Sequence, residues 1–203
     1  MRIMHTFWRF GWEIFFPPTK DEQRIIAATK QDILDLYQPR RQHGHFTCTS
    51  YQQPLVRSLI TTNKFSANRQ AAQWLSLLLN TFLDTVKEPV TLVPVPLSTK
   101  RERKRGHNQT TTILQQLPEP HIQELLCRTR DTPPQTSCDR KTRHTNVADA
   151  FEATSLHSKT PLGTIFIVDD VVTTGSTLRA AKQALAQAYP AQKIHTIALA
   201  RST

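Results

Sequence analysis

Two adjacent carboxylates, Asp169 and Asp170, close an apolar run, Ile165-Phe166-Ile167-Val168. Val171 and Val172 follow, then a hydroxyl-rich turn, Thr173-Thr174-Gly175-Ser176-Thr177. Each residue type has a use. Carboxylates accept hydrogen bonds from sugar hydroxyls, or hold a hard cation such as Mg²⁺ directly or through water. The turn opens a helical pattern, so its backbone N–H groups point outward, and Gly175 lets an anion approach the backbone. The helix dipole alone supplies only about 0.3–1 kcal/mol when exposed. Tight phosphate binding by residues 173–177 therefore needs the N–H and hydroxyl hydrogen bonds as well.

A second candidate segment carries the opposite charge. Lys100-Arg101-Glu102-Arg103-Lys104-Arg105 runs into Gly106-His107-Asn108-Gln109. Read as a basic loop, it offers Arg101, Arg105, Gly106, Asn108 and Gln109 to a highly charged group such as a pyrophosphate. A ligand with one phosphate, a sugar diol and a separate pyrophosphate satisfies both segments, and phosphoribosyl pyrophosphate is such a ligand. The turn lacks the lysine of a Walker A loop, so that alternative fails. A long polar stretch over 118–150 has the character of an active-site cover.

The elements that must position these groups alternate. Residues 90–93, 164–170 and 193–200 read as strands. Residues 66–86 read as a helix, as does the stretch holding Leu178, Ala181, Leu185 and Ala188 at spacings of three and four. Residues 55–60 look helical, with Asn63-Lys64-Phe65 as an interruption, and 48–51 begin a short strand. Residues 19–37 form a small N-terminal helical segment, and 38–47 read as loop. This order predicts an α/β fold with a mostly parallel central sheet flanked by helices. Ligands in such sheets bind beyond the strand C-termini, where both motif segments emerge.

The totals narrow the class. The chain has 203 residues, a formal net charge of +10 and three cysteines, Cys48, Cys127 and Cys138, without CxxC spacing. A disulfide framework is not expected. The charge favours a polyanionic partner. No run reaches the roughly 18 apolar residues of a membrane span, and the aromatic N-terminus is a poor signal peptide, so a cytoplasmic location is expected.

The stretch from Ile167 to Thr177 resembles the ligand motif of type I phosphoribosyltransferases: strand, two acids, two residues, TTGST. More narrowly, the chain resembles the ComF/ComFC competence family. The resemblance rests on Tyr51, Lys64-Phe65, Pro94-Val95-Pro96, Arg105-Gly106-His107-Asn108-Gln109, and the series Arg128, Arg130, Gln135, Arg143, Asn146-Val147 and Ala150-Phe151. It covers residues 51–203, leaving 1–50 as an N-terminal segment. Many members carry a four-cysteine zinc module there. This segment lacks it, and no zinc is expected. His43, His45 and Cys48 are close in sequence and read as a surface loop.

The resemblance implies a type I phosphoribosyltransferase-like fold that binds phosphoribosyl pyrophosphate with Mg²⁺. Asp169 and Asp170 would serve the ribose and the metal, and residues 173–177 the 5′-phosphate. Arg128, Arg130, Gln135 and Arg143 would lie on the cover loop. It also implies a link to DNA uptake. The alternative reading is a non-catalytic competence accessory that binds single-stranded DNA or a helicase partner.

Overall fold

The computed structural model describes residues 17–129, 150–154 and 163–202. Two short helices come first, α1 (Lys20–Ala27) and α2 (Lys30–Asp35). Each opens on a capping box. The Thr19 and Thr29 hydroxyls accept the backbone N–H of Glu22 and Asp32, whose carboxylates reach back to the cap. The single segment read over 19–37 is thus broken at Ala28, which is extended (φ −68°, ψ 136°). Ile25 and Ile33 anchor the two helices in the main core.

Residues 38–47 are not a loop. They contain strand β1 (Arg40–Gln42) and the start of strand β2 (His45–Ser50), joined by a tight turn at His43 and Gly44 with φ of 50° and 84°. Two consecutive positive φ values suit the right-handed twist of a hairpin. The strand read from 48–51 thus starts three residues earlier, at His45, where polar inner residues hide it in the sequence. Thr47 and Thr49 are buried, and their hydroxyls donate to the carbonyls of Arg40 (3.3 Å) and Leu36 (2.7 Å). The sheet therefore begins ahead of residue 51.

Helix α3 (Pro54–Ser66) follows, then α4 (Arg69–Leu83). Asn63-Lys64-Phe65 does not interrupt α3 but forms its last turn. The break falls at Ala67 (φ 47°), after which Asn68 caps α4 by accepting the Ala71 N–H at 2.9 Å. Strand β3 (Val90–Pro94) leads to helices α5 (Thr99–Arg105) and α6 (Gln109–Leu114). Strands β4 (Leu126–Arg128) and β5 (Phe151–Ala153) pair as a separate antiparallel ribbon. Strand β6 (Thr164–Val172), helix α7 (Ser176–Ala188) and strand β7 (Ile194–Arg201) complete the described chain.

The main sheet has the order β1-β2-β7-β6-β3. β2, β7, β6 and β3 are parallel, and only the edge strand β1 runs against its neighbour. Alternation along β6 separates two cores. Phe166 and Val168 face a cluster with Ile25, Leu59, Leu75, Leu79 and Leu114. Ile165 and Ile167 face a cluster with Leu178, Ala181, Leu185 and Phe151. Burying each of the Val, Leu, Ile and Phe side chains among them contributes roughly 1.5–3 kcal/mol. The four parallel strands finish on one side, and backbone bonds join their ends. Tyr51 N–H donates to Arg201 (2.7 Å), Ser202 N–H to Val172 (3.0 Å) and Val95 N–H to Val168 (2.9 Å). No helix among the described residues is long and apolar enough to cross a membrane.

One glycine at the opposite end tests this frame. Gly163 has φ 63°, and a Cβ there would overlap the Pro89 carbonyl. A Gly163→Ala variant is expected to lose roughly 2–4 kcal/mol, combining positive φ with backbone overlap. Urea unfolding would measure the loss, and ligand affinity should stay unchanged.

Candidate functional site

β6 runs on past its last pairing with β3, Pro94 with Val168, so Asp169 and Asp170 project beyond the end of β3. Asp169 Oδ1 accepts the backbone N–H of Asp170 at 2.8 Å. Asp170 is 5% exposed, and the Lys64 ammonium lies 2.9 Å from its Oδ2. Asp169 keeps some surface in solvent, yet the chain packed around it strips its carboxyl of most of its water. Burial, then the Asp170 charge, pushes its carboxyl up to about 7, against the pull of the Asp170 N–H and Lys64. The sign of the consequence follows. Between the ordinary value of 3.8 and about 7, the folded chain holds a proton that the unfolded chain has lost. This residue therefore makes stability fall as pH rises through that window. Urea unfolding at several pH values should show this slope, and Asp169→Asn should flatten it.

The hydroxyl turn sits where β6 meets α7. Gly175 takes the left-handed conformation (φ 72°, ψ 9°) and has no side chain with which to cap the helix. The Thr174 and Ser176 hydroxyls are 3.1 Å apart, and Arg179 Nη1 donates to the Thr174 carbonyl at 2.9 Å. Thr173 is exposed, Thr177 half-buried, and Ser176 buried at the helix start. The turn thus presents hydroxyls and a helix N-terminus on the strand that carries both acids.

His45 packs behind this turn, where a Cβ on Gly175 would overlap its imidazole. Its Nδ1 lies 2.7 Å from Thr196 Oγ1, and it is 2% exposed. Burial, then Arg179, His43 and Lys182, lowers its pKa and favours the neutral ring. The trio read as a surface loop is therefore divided. His43 is exposed at the hairpin turn, whereas His45 and Cys48 point inward from β2. Burial pushes the Cys48 thiol up to about 12.

The basic run is a helix rather than a loop. The Ser98 side chain caps α5, and Gly106 (φ 74°) ends it. Arg103, Lys104 and Arg105 fill its last turn, where cations suit the helix dipole. Arg103 and Lys104 face solvent. Arg105 turns inward, donates to Gln109 Oε1 at 2.7 Å and lies over the Phe65 ring at 5.7 Å. Burial lowers its pKa, while the charges of Asp170 and Asp169 act against that effect and Arg101 adds to it. Among the residues read as facing pyrophosphate, Arg105 lies within range of the charge of both acids. Asn108 caps α6, accepting from Thr110 N–H (2.9 Å) and donating to the Val95 carbonyl (3.1 Å). Gln109 is buried as the Arg105 acceptor. Both shape the segment from within.

Arg128, on β4, lies over the Phe151 ring at 5.2 Å. Arg130, Gln135 and Arg143 fall outside the described residues, as do Asn146, Val147 and the N-terminal aromatics. Two site residues carried no role in the sequence reading. Lys64 stood out only as half of a Lys-Phe pair and, with Asn63, as part of an interruption after residues 55–60. Asn63 is 1% exposed. It donates to the Gln109 carbonyl (3.0 Å) and accepts from the Thr112 hydroxyl (3.1 Å), tying α3 to α6.

An acid pair and a hydroxyl turn thus stand at the end of one inner strand, β6, within range of the charge of Arg105 on the helix that follows the neighbouring strand β3. The family model of the phosphoribosyl transferase domain matches residues 68–202, and the chain belongs to that family. Within it, the chain is of the ComF type. It is 32% identical over 130 residues to Competence protein F of Haemophilus influenzae, a match covering 61% of this chain and 57% of that protein. It is 36% identical over 149 residues to DNA utilization protein YhgH of Escherichia coli K12, covering 68% of this chain and 64% of that protein. The match thus spans less than two thirds of either relative.

Proposed function

We propose that this protein binds phosphoribosyl pyrophosphate together with Mg²⁺ and transfers its ribose 5-phosphate to a nitrogen acceptor, in the service of DNA uptake or use. One observation carries the reading: the acids and the phosphate turn lie at the same end of β6, with the acids within range of the Arg105 charge.

The chain's own groups divide the work. Residues 173–177 hold the 5′-phosphate through backbone N–H and hydroxyl groups, so binding energy remote from the reaction orients the anomeric carbon. Asp169 and Asp170 accept from the ribose hydroxyls. They also stand close to the positive charge that builds on the sugar as the bond to pyrophosphate breaks. The departing oxygen takes the bonding electron pair, and Arg105, together with Arg101, stabilises that charge. The acceptor nitrogen forms the new bond through its lone pair and releases its proton to solvent or to the leaving group. The donor set suits a metal held through water: Asp170 already faces Lys64, and one Asp169 oxygen already accepts an N–H. When bound, Mg²⁺ would neutralise charge on the pyrophosphate oxygens.

Calorimetry with phosphoribosyl pyrophosphate and Mg²⁺ tests binding, and pyrophosphate release with a panel of nucleobases tests transfer. Saturable binding is expected, and its absence would sink the proposal. The exposed cations Arg103 and Lys104, together with the net charge of +10, favour a second reading, in which the protein is an accessory on single-stranded DNA or a helicase. Steeply salt-dependent oligonucleotide binding without pyrophosphate release would favour that accessory.

A further inference from the structure

One cation at the acid pair comes from neither motif segment. Lys64 Nζ lies 2.9 Å from Asp170 Oδ2, with side-chain exposures of 22% and 8%. Strand alternation explains the meeting. Asp170 shares a face of β6 with Phe166 and Val168, the face that packs in the core with α3 and α4 residues. The root of Lys64 is fixed as well. Asn63, just before it, is locked to α6 by its two side-chain bonds, and α3 ends at Ala67. Arg105 adds a second positive charge nearby, its guanidinium over the ring of Phe65.

We infer that Lys64 is a resident counter-ion that reserves Asp170 for a hydroxyl-bearing ligand by denying it to free divalent cations. The inference rests on reading the acid pair as ligand-facing, and it does not depend on catalysis. A divalent ion binding Asp170 directly would have to displace an ammonium at contact distance, with the Arg105 charge adding to the repulsion. Neutral sugar hydroxyls face no such opposition. A carboxylate has about four acceptor positions, so hydroxyls can bond to Asp170 while Lys64 stays in place. On this arrangement, a metal enters only with an anion that supplies compensating charge. Lys64 is then a positioning residue that sets the order in which the site fills.

The test uses Mn²⁺ as a paramagnetic probe on the full chain with no other ligand present. Free Mn²⁺ is followed by electron paramagnetic resonance as protein is titrated in. Wild-type protein and Lys64→Arg should bind weakly and alike. Lys64→Met, which keeps the apolar stem, should bind at least tenfold more tightly than wild type. Adding Asp170→Asn to Lys64→Met should remove that gain. Circular dichroism checks each fold. If Lys64→Met fails to fold, Lys64→Gln takes its place with the same expected gain. Wild-type binding as tight as that of the neutral variant would overturn the inference, and so would a gain that survives Asp170→Asn. Calorimetry of wild-type protein with phosphoribosyl pyrophosphate reports separately on the proposed function, so failure of one is distinguishable from failure of the other.

Discussion

A double variant, Asp169→Asn with Asp170→Asn, is expected to lose Mg²⁺-dependent binding of phosphoribosyl pyrophosphate while keeping its fold. The substitutions preserve size and shape, remove the charge, and replace one acceptor oxygen of each carboxylate with an N–H donor. Losing a buried, hydrogen-bonded charge typically costs about 2–5 kcal/mol of binding, roughly a 30- to 5,000-fold weakening. The fold should tolerate the change for two reasons. Lys64 is already about one fifth exposed and can turn to water when its partner is neutralised. Asp169 is costly to ionise where it stands, its pKa pushed up to about 7, so asparagine relieves an unfavourable charge above that pH. Calorimetry and urea unfolding on the same preparation separate the two effects. Unchanged affinity would show that the acids do not face the ligand.

Gly175→Ala should be nearly as damaging, for a reason of shape. The new methyl would be forced into the His45 imidazole, on a backbone already at φ 72°. His45 cannot retreat easily, because it is buried and held at Thr196 Oγ1. Strain and overlap together are expected to cost roughly 2–4 kcal/mol of stability. If the turn distorts instead of the core, the cost appears as lost phosphate affinity. Combining Gly175→Ala with His45→Ala should recover the portion due to overlap and leave the portion due to φ. Measurements of urea unfolding and of ligand affinity together locate the strain. Wild-type values in both would refute the close contact.

What the sequence disclosed followed the length and simplicity of each signal. β3, β6 and β7 were legible because strands buried on both faces read as apolar runs. α4 and α7 were legible because one apolar face repeats at helical spacing. The β1–β2 hairpin was legible only at its end, near 48–51, since its earlier buried positions include the polar His45 and Thr47. α5 was not, since a run of cations has no apolar period. Its only marks were the cap at Ser98 and the glycine at 106. The candidate site divides the same way. Its contiguous pieces, the acids with their turn and the Arg105–Gln109 segment, announce themselves by residue type. Lys64 and His45 reach the site from distant segments, and only the packing of α3 and β2 brings them there.

The strand order also bears on how the chain folds. β7 is the last strand in sequence but the third of five in the sheet, with β2 on one side and β6 on the other. Before it is in place, β1–β2 and β3–β6 are two separate fragments, each with an open edge. On a ribosome, the hairpin around residue 45 must wait until residues 194–201 have emerged before it can pair. Contacts so distant along the chain close slowly, because loop entropy is lost before pairing rewards it. Folding should therefore be late and concerted, and unfinished chains should expose strand edges prone to self-association. Deleting residues 194–203 should then not merely trim a terminus. It should divide the sheet and leave both halves unable to fold.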